Sequence, residues 1–146
     1  MAATAVETGV KDHIGRLRPH TEWILANMPS PPIAKLLQKY LPQMHGGTPI
    51  ISNWDSLKPL WNACVKLAED RNTTAHSGCA VDDAVLRTHI RTAADILYVL
   101  DALAGHEWAR ERVSPNLRAA LGWPDPLVWG IELQPVSSDW EIDSAG

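Results

Sequence analysis

The sequence predicts an all-α protein: an antiparallel bundle of four to five helices followed by an extended acidic C-terminal tail. Apolar residues recur at helical spacing along most of the chain, strand-like alternation is almost absent, and proline or glycine stands at the ends of the periodic stretches. The 146 residues have room for one domain of ordinary size. We therefore predict a helical domain over 1–122 and a tail over 123–146.

Three helices are predicted before residue 54. The first ends at Pro19 and carries the apolar positions Val6, Val10, Ile14 and Leu17. A short helix follows Thr21, with Trp23, Ile24 and Leu25. The third spans roughly 32–41, because Pro32 suits a first helical position and the apolar residues that follow share one face. Residues 42–53 contain Gly46, Gly47 and Pro49, which favours a loop.

The two strongest helical patterns lie in the middle of the chain. One begins at Ser56 and is expected to end near Asp70, with a stripe formed by Leu57, Leu60, Trp61, Cys64, Leu67 and Ala68. The other begins at Asp82 or Asp83 and stops at Gly105, with a stripe formed by Leu86, Ile90, Ala93, Leu97, Leu100 and Ala104. Ser114 and Pro115 open a last helix, which Gly122 ends.

The composition is that of a soluble globular protein, with 45% hydrophobic and 21% charged residues. No apolar run approaches the ~20 residues that cross a bilayer, and the N-terminus lacks the plan of a secretory signal. We therefore expect no membrane association and a cytoplasmic location. The two cysteines, Cys64 and Cys79, are too few for a disulfide framework and are expected to be reduced.

Charge is distributed unevenly along the chain. The last 28 residues carry −5, from Asp125, Glu132, Asp139, Glu141 and Asp143, and the total of −4 therefore leaves +1 for residues 1–118. A nearly neutral body is unlike a strong nonspecific nucleic-acid binder, which presents a basic patch and a high pI. Any RNA binding must therefore be local.

The residues best suited to chemistry lie between the two strongest helices. Arg71 is a permanent cation, and His76, five positions later, carries an imidazole that titrates near neutrality in ordinary surroundings. On a regular helix this spacing turns the two side chains about 140° apart. The sequence therefore predicts that the segment straddles a helix end, where a bend helped by Asn72 and Gly78 aims both side chains into one cleft.

The pattern R-N-x-x-x-H, formed here by Arg71, Asn72 and His76 at the junction of two amphipathic helices, resembles the HEPN superfamily. The resemblance covers roughly residues 54–108, with the helix at 32–41 as a further member. It implies a homodimeric endoribonuclease that needs no metal or other cofactor, with the motifs of two protomers facing each other across one cleft. It also implies a toxin of a toxin–antitoxin or phage-defence system.

The resemblance assigns a role to each residue of the motif. His76 would be the general acid or base, Arg71 would bind the scissile phosphate, and Asn72 would orient His76 or contact the phosphate. The 2'-hydroxyl of RNA attacks the adjacent phosphate, so the protein supplies proton transfer and charge stabilisation. The products would carry a 2',3'-cyclic phosphate and a 5'-hydroxyl.

Other interpretations of the same residues stay open. Arg71 could pair with an acid, Asn72 could cap a helix, and His76 could bond the backbone, in a non-catalytic HEPN module for dimerisation or nucleotide binding that recruits a partner protein. His76 and Cys79 have metal-like spacing, to which Cys64 or His89 could add, but a structural zinc site normally shows four clustered ligands.

Two further features have both a structural and a functional interpretation. An i+4 spacing relates Asp83, Arg87, Arg91 and Asp95. This spacing favours a solvated helix face with weak ion pairs over arginines that contact an RNA backbone.

Seven tryptophans occur, and Trp61 is expected in the core. Those in the tail, Trp123, Trp129 and Trp140, would fold back on the domain or dock on a partner such as an antitoxin.

Overall fold

A computed structural model describes residues 1–28, 32–78 and 81–126 of the chain. Within these ranges every regular element is helical, which confirms the all-α class. The α-helices are α1 (Ala2–Leu17), α2 (Glu22–Asn27), α3 (Ile33–Lys35), α4 (Leu41–Met44), α5 (Lys58–Ser77), α6 (Asp83–Leu103) and α7 (Pro115–Leu121). A π-helical stretch, Leu36–Tyr40, joins α3 to α4, and 3-10 turns occupy Pro19–Thr21, Trp54–Leu57 and Glu107–Glu111.

The centre of the fold is the packing of α1 and α5 against α6. Of the apolar face predicted for α1, Val6, Val10 and Ile14 are buried and Leu17 is partly buried. Gly9 lies against Leu97, and a Cβ atom at position 9 would collide with that side chain. A residue without a side chain therefore lets α1 approach α6 closely. The predicted stripe of α5 is also buried at Leu60, Trp61, Cys64 and Leu67.

The buried stripe predicted for α6 is correct at Ala93 and Leu100, partly correct at Leu97, and wrong at Leu86, Ile90 and Ala104. Leu86 and Ile90 are 46% and 57% exposed, whereas every buried residue of α6 lies at Thr92 or later. Periodicity identifies which face of a helix is apolar, but it does not tell how much of that face meets another element. The first two turns of α6 therefore present apolar side chains to solvent.

A buried carboxylate fixes the turn that leads into α7. Asp95 accepts hydrogen bonds from the Ser114 backbone N–H and from the Ser114 hydroxyl, each at 2.7 Å. The Arg91–Asp95 and Asp83–Arg87 ion pairs expected on the solvated face do not form within the described residues. Asp95 belongs to the interior of the fold because the following turn supplies its hydrogen-bond donors.

The tryptophans divide between core and surface. Trp61 is buried as predicted, and Trp123 also joins the core, where its indole N–H donates to the Ile50 carbonyl at 2.8 Å. Trp23 and Trp108 are exposed. Trp129 and Trp140 lie outside the described residues, as does most of the predicted tail, so the boundary at residue 122 stays a prediction. Among the described helices, none is long and apolar enough to cross a membrane.

Candidate functional site

The motif lies inside a helix rather than across its end. We predicted that α5 stops near Asp70, but it continues to Ser77, so the prediction of a bend at Asn72 is wrong. None of the polar residues after Asp70 breaks a helix, and the first residue that does is Gly78. Its left-handed backbone, with φ at 65°, closes α5 through a 3.0 Å bond from its N–H to the Thr74 carbonyl. Arg71, Asn72 and His76 therefore occupy the last two turns of a regular helix.

Arg71 lies on the side of α5 that faces α1. Its guanidinium Nη1 is 4.0 Å from Oε2 of Glu7, whose other carboxylate oxygen is 2.9 Å from the Lys11 ammonium. Arg71 and Asn72 both line a cavity of about 400 Å³ between α1, α3 and α5. More than half of the Arg71 side chain remains exposed, so the guanidinium is available to a ligand despite its acidic neighbour.

His76 is exposed and does not line the cavity of Arg71 and Asn72. Because α5 is regular here, Arg71 and His76 point about 140° apart and are separated by about 7.5 Å along the helix axis. One protomer therefore does not bring the predicted acid–base group to the predicted phosphate-binding group. Asn72 shares the cavity of Arg71, and because it precedes His76 by four residues it lies only about 40° from His76 around the helix.

A different histidine lies close to Arg71. His89 of α6 and Arg71 line a second cavity, of about 290 Å³, together with Asp70. The His89 Nε2 atom is 3.0 Å from the Asp70 carboxylate, which also receives the Lys66 ammonium at 3.2 Å. The imidazole is largely buried, and its Nε2 forms no aligned hydrogen bond with described residues. Sequence reasoning missed this grouping because only the packing of α5 on α6 brings residues 70 and 89 together.

The described residues offer no metal centre. No group of three or more potential ligands is found among them, and Cys79, the proposed companion of His76 in a zinc site, lies outside the described ranges. Cys64 is buried in the core, and burial raises the pKa of its thiol to about 11. It is therefore a neutral core residue at physiological pH rather than a thiolate ligand.

Comparisons with protein-family models, with curated proteins and with solved structures find no match for the chain.

Proposed function

We propose that this chain, folded as an antiparallel helical bundle, is a metal-independent endoribonuclease of the HEPN type that acts as a homodimer. The observation that carries the proposal is the position of Arg71, Asn72 and His76. All three are exposed on the last two turns of α5, close to the segment that leads into α6, where a second molecule can reach them.

The helical geometry favours a site shared between two protomers. Arg71 and His76 diverge on one helix, so a single phosphate meets both groups only if they come from different copies. The neighbouring first turn of α6 carries the exposed apolar residue Leu86, with Val81 just before it. Burying these side chains against a second copy would contribute to dimer formation.

In this proposal each residue of the motif has one role. Arg71 offers the planar fork of donors that matches phosphate oxygens and stabilises the charge of the pentacoordinate phosphorus. His76 of the other copy moves a proton to or from the reacting oxygens, and Asn72 contacts the phosphate from the cavity it shares with Arg71. The 2'-hydroxyl of the substrate is the nucleophile, so the chain has no need of a nucleophile of its own.

The proximity of Glu7 to Arg71 favours a second candidate, a non-catalytic HEPN module whose dimer surface or nucleotide pocket recruits a partner. An arginine with a carboxylate at 4.0 Å has part of its charge compensated before any phosphate arrives. Expression separates the two candidates. An active toxin or phage-defence effector harms its host unless His76 is replaced or an antitoxin is present. A binding module is harmless whether or not His76 is replaced.

The nuclease proposal is tested by incubating end-labelled mixed RNA with the purified protein in excess EDTA and identifying the product ends. We expect cyclic phosphates from the wild type and a loss of at least about a hundredfold in rate for His76→Ala and for Arg71→Ala. Arg16→Ala and His20→Ala, at exposed positions outside the motif, are the matched controls and should cut at the wild-type rate.

The variant His89→Gln distinguishes the two histidines. If it abolishes cutting while His76→Ala does not, the base is the histidine that shares a cavity with Arg71, and the role given to His76 is refuted. A wild type that leaves every class of RNA intact would refute the enzyme itself.

A further inference from the structure

Three arginines surround one cavity on the side of α6 near α7. Arg87 and Arg91 stand one turn apart on the same face of α6, and Arg112 borders the cavity from the turn that precedes α7. The cavity measures about 510 Å³, within the range of sites for small molecules, which is about 300–1,000 Å³. It shares no lining residue with the two cavities that Arg71 borders.

The charge of these arginines is not compensated within the described part of the chain. Asp83 precedes Arg87 by one turn and Glu111 adjoins Arg112, yet no ion pair in the described ranges involves any of the three guanidinium groups. Asp95 also lines the cavity, but both of its carboxylate oxygens already accept hydrogen bonds from Ser114. Three cations and one engaged carboxylate leave a net positive cavity.

Asp95 acts here as a positioning residue. Its hydrogen bonds attach Ser114 to α6 and so hold the Arg112–Pro115 turn beside the helix that carries Arg87 and Arg91. Because Asp95 is only 7% exposed, this attachment is part of the folded core. The three arginines are therefore brought together by the fold before any ligand binds.

We propose that this arginine cleft, formed by Arg87, Arg91 and Arg112, binds a small molecule that carries two or more linked phosphate groups. Guanidinium groups match phosphate oxygens through paired, charge-assisted hydrogen bonds. A single phosphate monoester carries a charge of about −1.5 to −2. Linked phosphates carry more negative charge and therefore neutralise three guanidinium groups more completely than one phosphate does. The nearly neutral body favours a compact anion over a long polyanion, since a long polyanion would need positive charge well beyond one cleft.

The cleft also has an apolar side. Ile90, more than half exposed, and Pro115 line it next to the arginines. A second cavity of about 480 Å³ shares Arg87, Arg91, Asp95 and Ser114 with the first. Linked phosphates could therefore come from inorganic pyrophosphate or from a nucleoside polyphosphate whose base packs on the apolar side.

The test is isothermal titration calorimetry on the full chain at low ionic strength, with phosphate, pyrophosphate, ATP, citrate and a single-stranded RNA oligonucleotide as separate probes. We expect pyrophosphate and ATP to bind at least about tenfold more tightly than phosphate or citrate. Equal affinity for pyrophosphate and ATP would show that the linked phosphates are the whole ligand. A higher affinity for ATP would show that the base also contacts the cleft. Either result supports the proposal. Binding of neither pyrophosphate nor ATP, equal binding of citrate, or displacement of bound pyrophosphate by the RNA at a lower concentration overturns it.

Variants locate the binding in the cleft. Arg87→Gln, Arg91→Gln and Arg112→Gln remove exposed charges and should each weaken pyrophosphate binding about tenfold, whereas the control Arg16→Gln should leave it unchanged. Thermal melting of each variant checks that the fold is retained. Binding that survives all three substitutions overturns the assignment. Because the readout is binding rather than cleavage, an inactive nuclease would leave this result intact.

Discussion

A pair of histidines makes the stability of the protein sensitive to mild acid. His13 of α1 is only 6% exposed, and its Nε2 lies 2.9 Å from the Nε2 of His45, with the two rings tilted by 35°. A hydrogen bond between these atoms requires one ring nitrogen to donate and the other to accept. Burial first, and then the charge of His45, lowers the pKa of His13 to about 4. Burial, together with Arg18, also lowers the pKa of His45.

The size of this pH effect follows from the difference between the pKa of His13 in the folded state and its pKa in the unfolded state. The pKa of His13 is about 4 in the fold and 6.5 in an unperturbed chain, so between these values the unfolded state binds more protons. The stabilisation is complete above pH 6.5 and is lost as the pH falls towards 4. Between pH 7 and pH 5 the free energy of unfolding should decrease by about 2 kcal/mol from His13 alone. The lowered pKa of His45 acts in the same direction.

Urea denaturation followed by tryptophan fluorescence measures this loss, because Trp61 and Trp123 are buried in the native state. A decrease of about 2 kcal/mol should shift the midpoint by about 1 M urea between pH 7 and pH 5. The variant His13→Gln should lose most of this pH dependence, whereas His20→Gln, at an exposed position, should keep it. A wild type equally stable at both pH values, or a His13→Gln variant with the same loss, would refute the reasoning.

Three further changes test how the fold is held. Asp95→Ala should lower the free energy of unfolding by about 2–3 kcal/mol in urea denaturation, because the Ser114 N–H and hydroxyl lose their acceptor, and Asp95→Asn should cost less; equal stability of the wild type and Asp95→Ala would contradict the buried attachment. Trp123→Phe keeps an aromatic ring but removes the N–H donor to Ile50 together with some buried volume, so a decrease of at least about 1 kcal/mol is expected by the same method, and no decrease would mean that the bond contributes nothing. Gly78→Ala should cost about 1 kcal/mol in thermal unfolding because of the left-handed backbone at that position, and a more stable variant would show that the C-cap differs.

Local rules predicted those features that depend on neighbouring residues. The buried face of α1, the starts of α6 and α7, and the glycine that ends α7 follow from periodicity and capping, and the structure confirms them. The predicted end of α5 near Asp70 is wrong because residues 71–77 contain neither glycine nor proline. Asparagine, threonine and serine lower helix propensity without ending a helix, and Gly78 provides the stop.

The features that sequence reasoning missed depend on which elements meet. Leu86 and Ile90 are about half exposed on the first turns of α6, so periodicity alone predicted their burial wrongly. The proximity of His89 to Arg71 and that of Arg112 to Arg87 are products of tertiary packing across long sequence separations. The sequence shows which side chains Arg71, Asn72 and His76 provide. Their relative orientation depends on whether α5 continues through these residues, which only the structure shows.

The claim that Arg71 and His76 act together across a dimer is tested most directly by mixing two inactive chains. Arg71→Ala and His76→Ala, co-expressed with different tags and purified as a heterodimer, retain one intact Arg71 and one intact His76 in different protomers. If these two groups meet across the interface, the heterodimer should recover about half of the wild-type cleavage of RNA in EDTA, while each homodimer stays inactive. A heterodimer as inactive as its parents, beside an active wild type, would contradict the shared site.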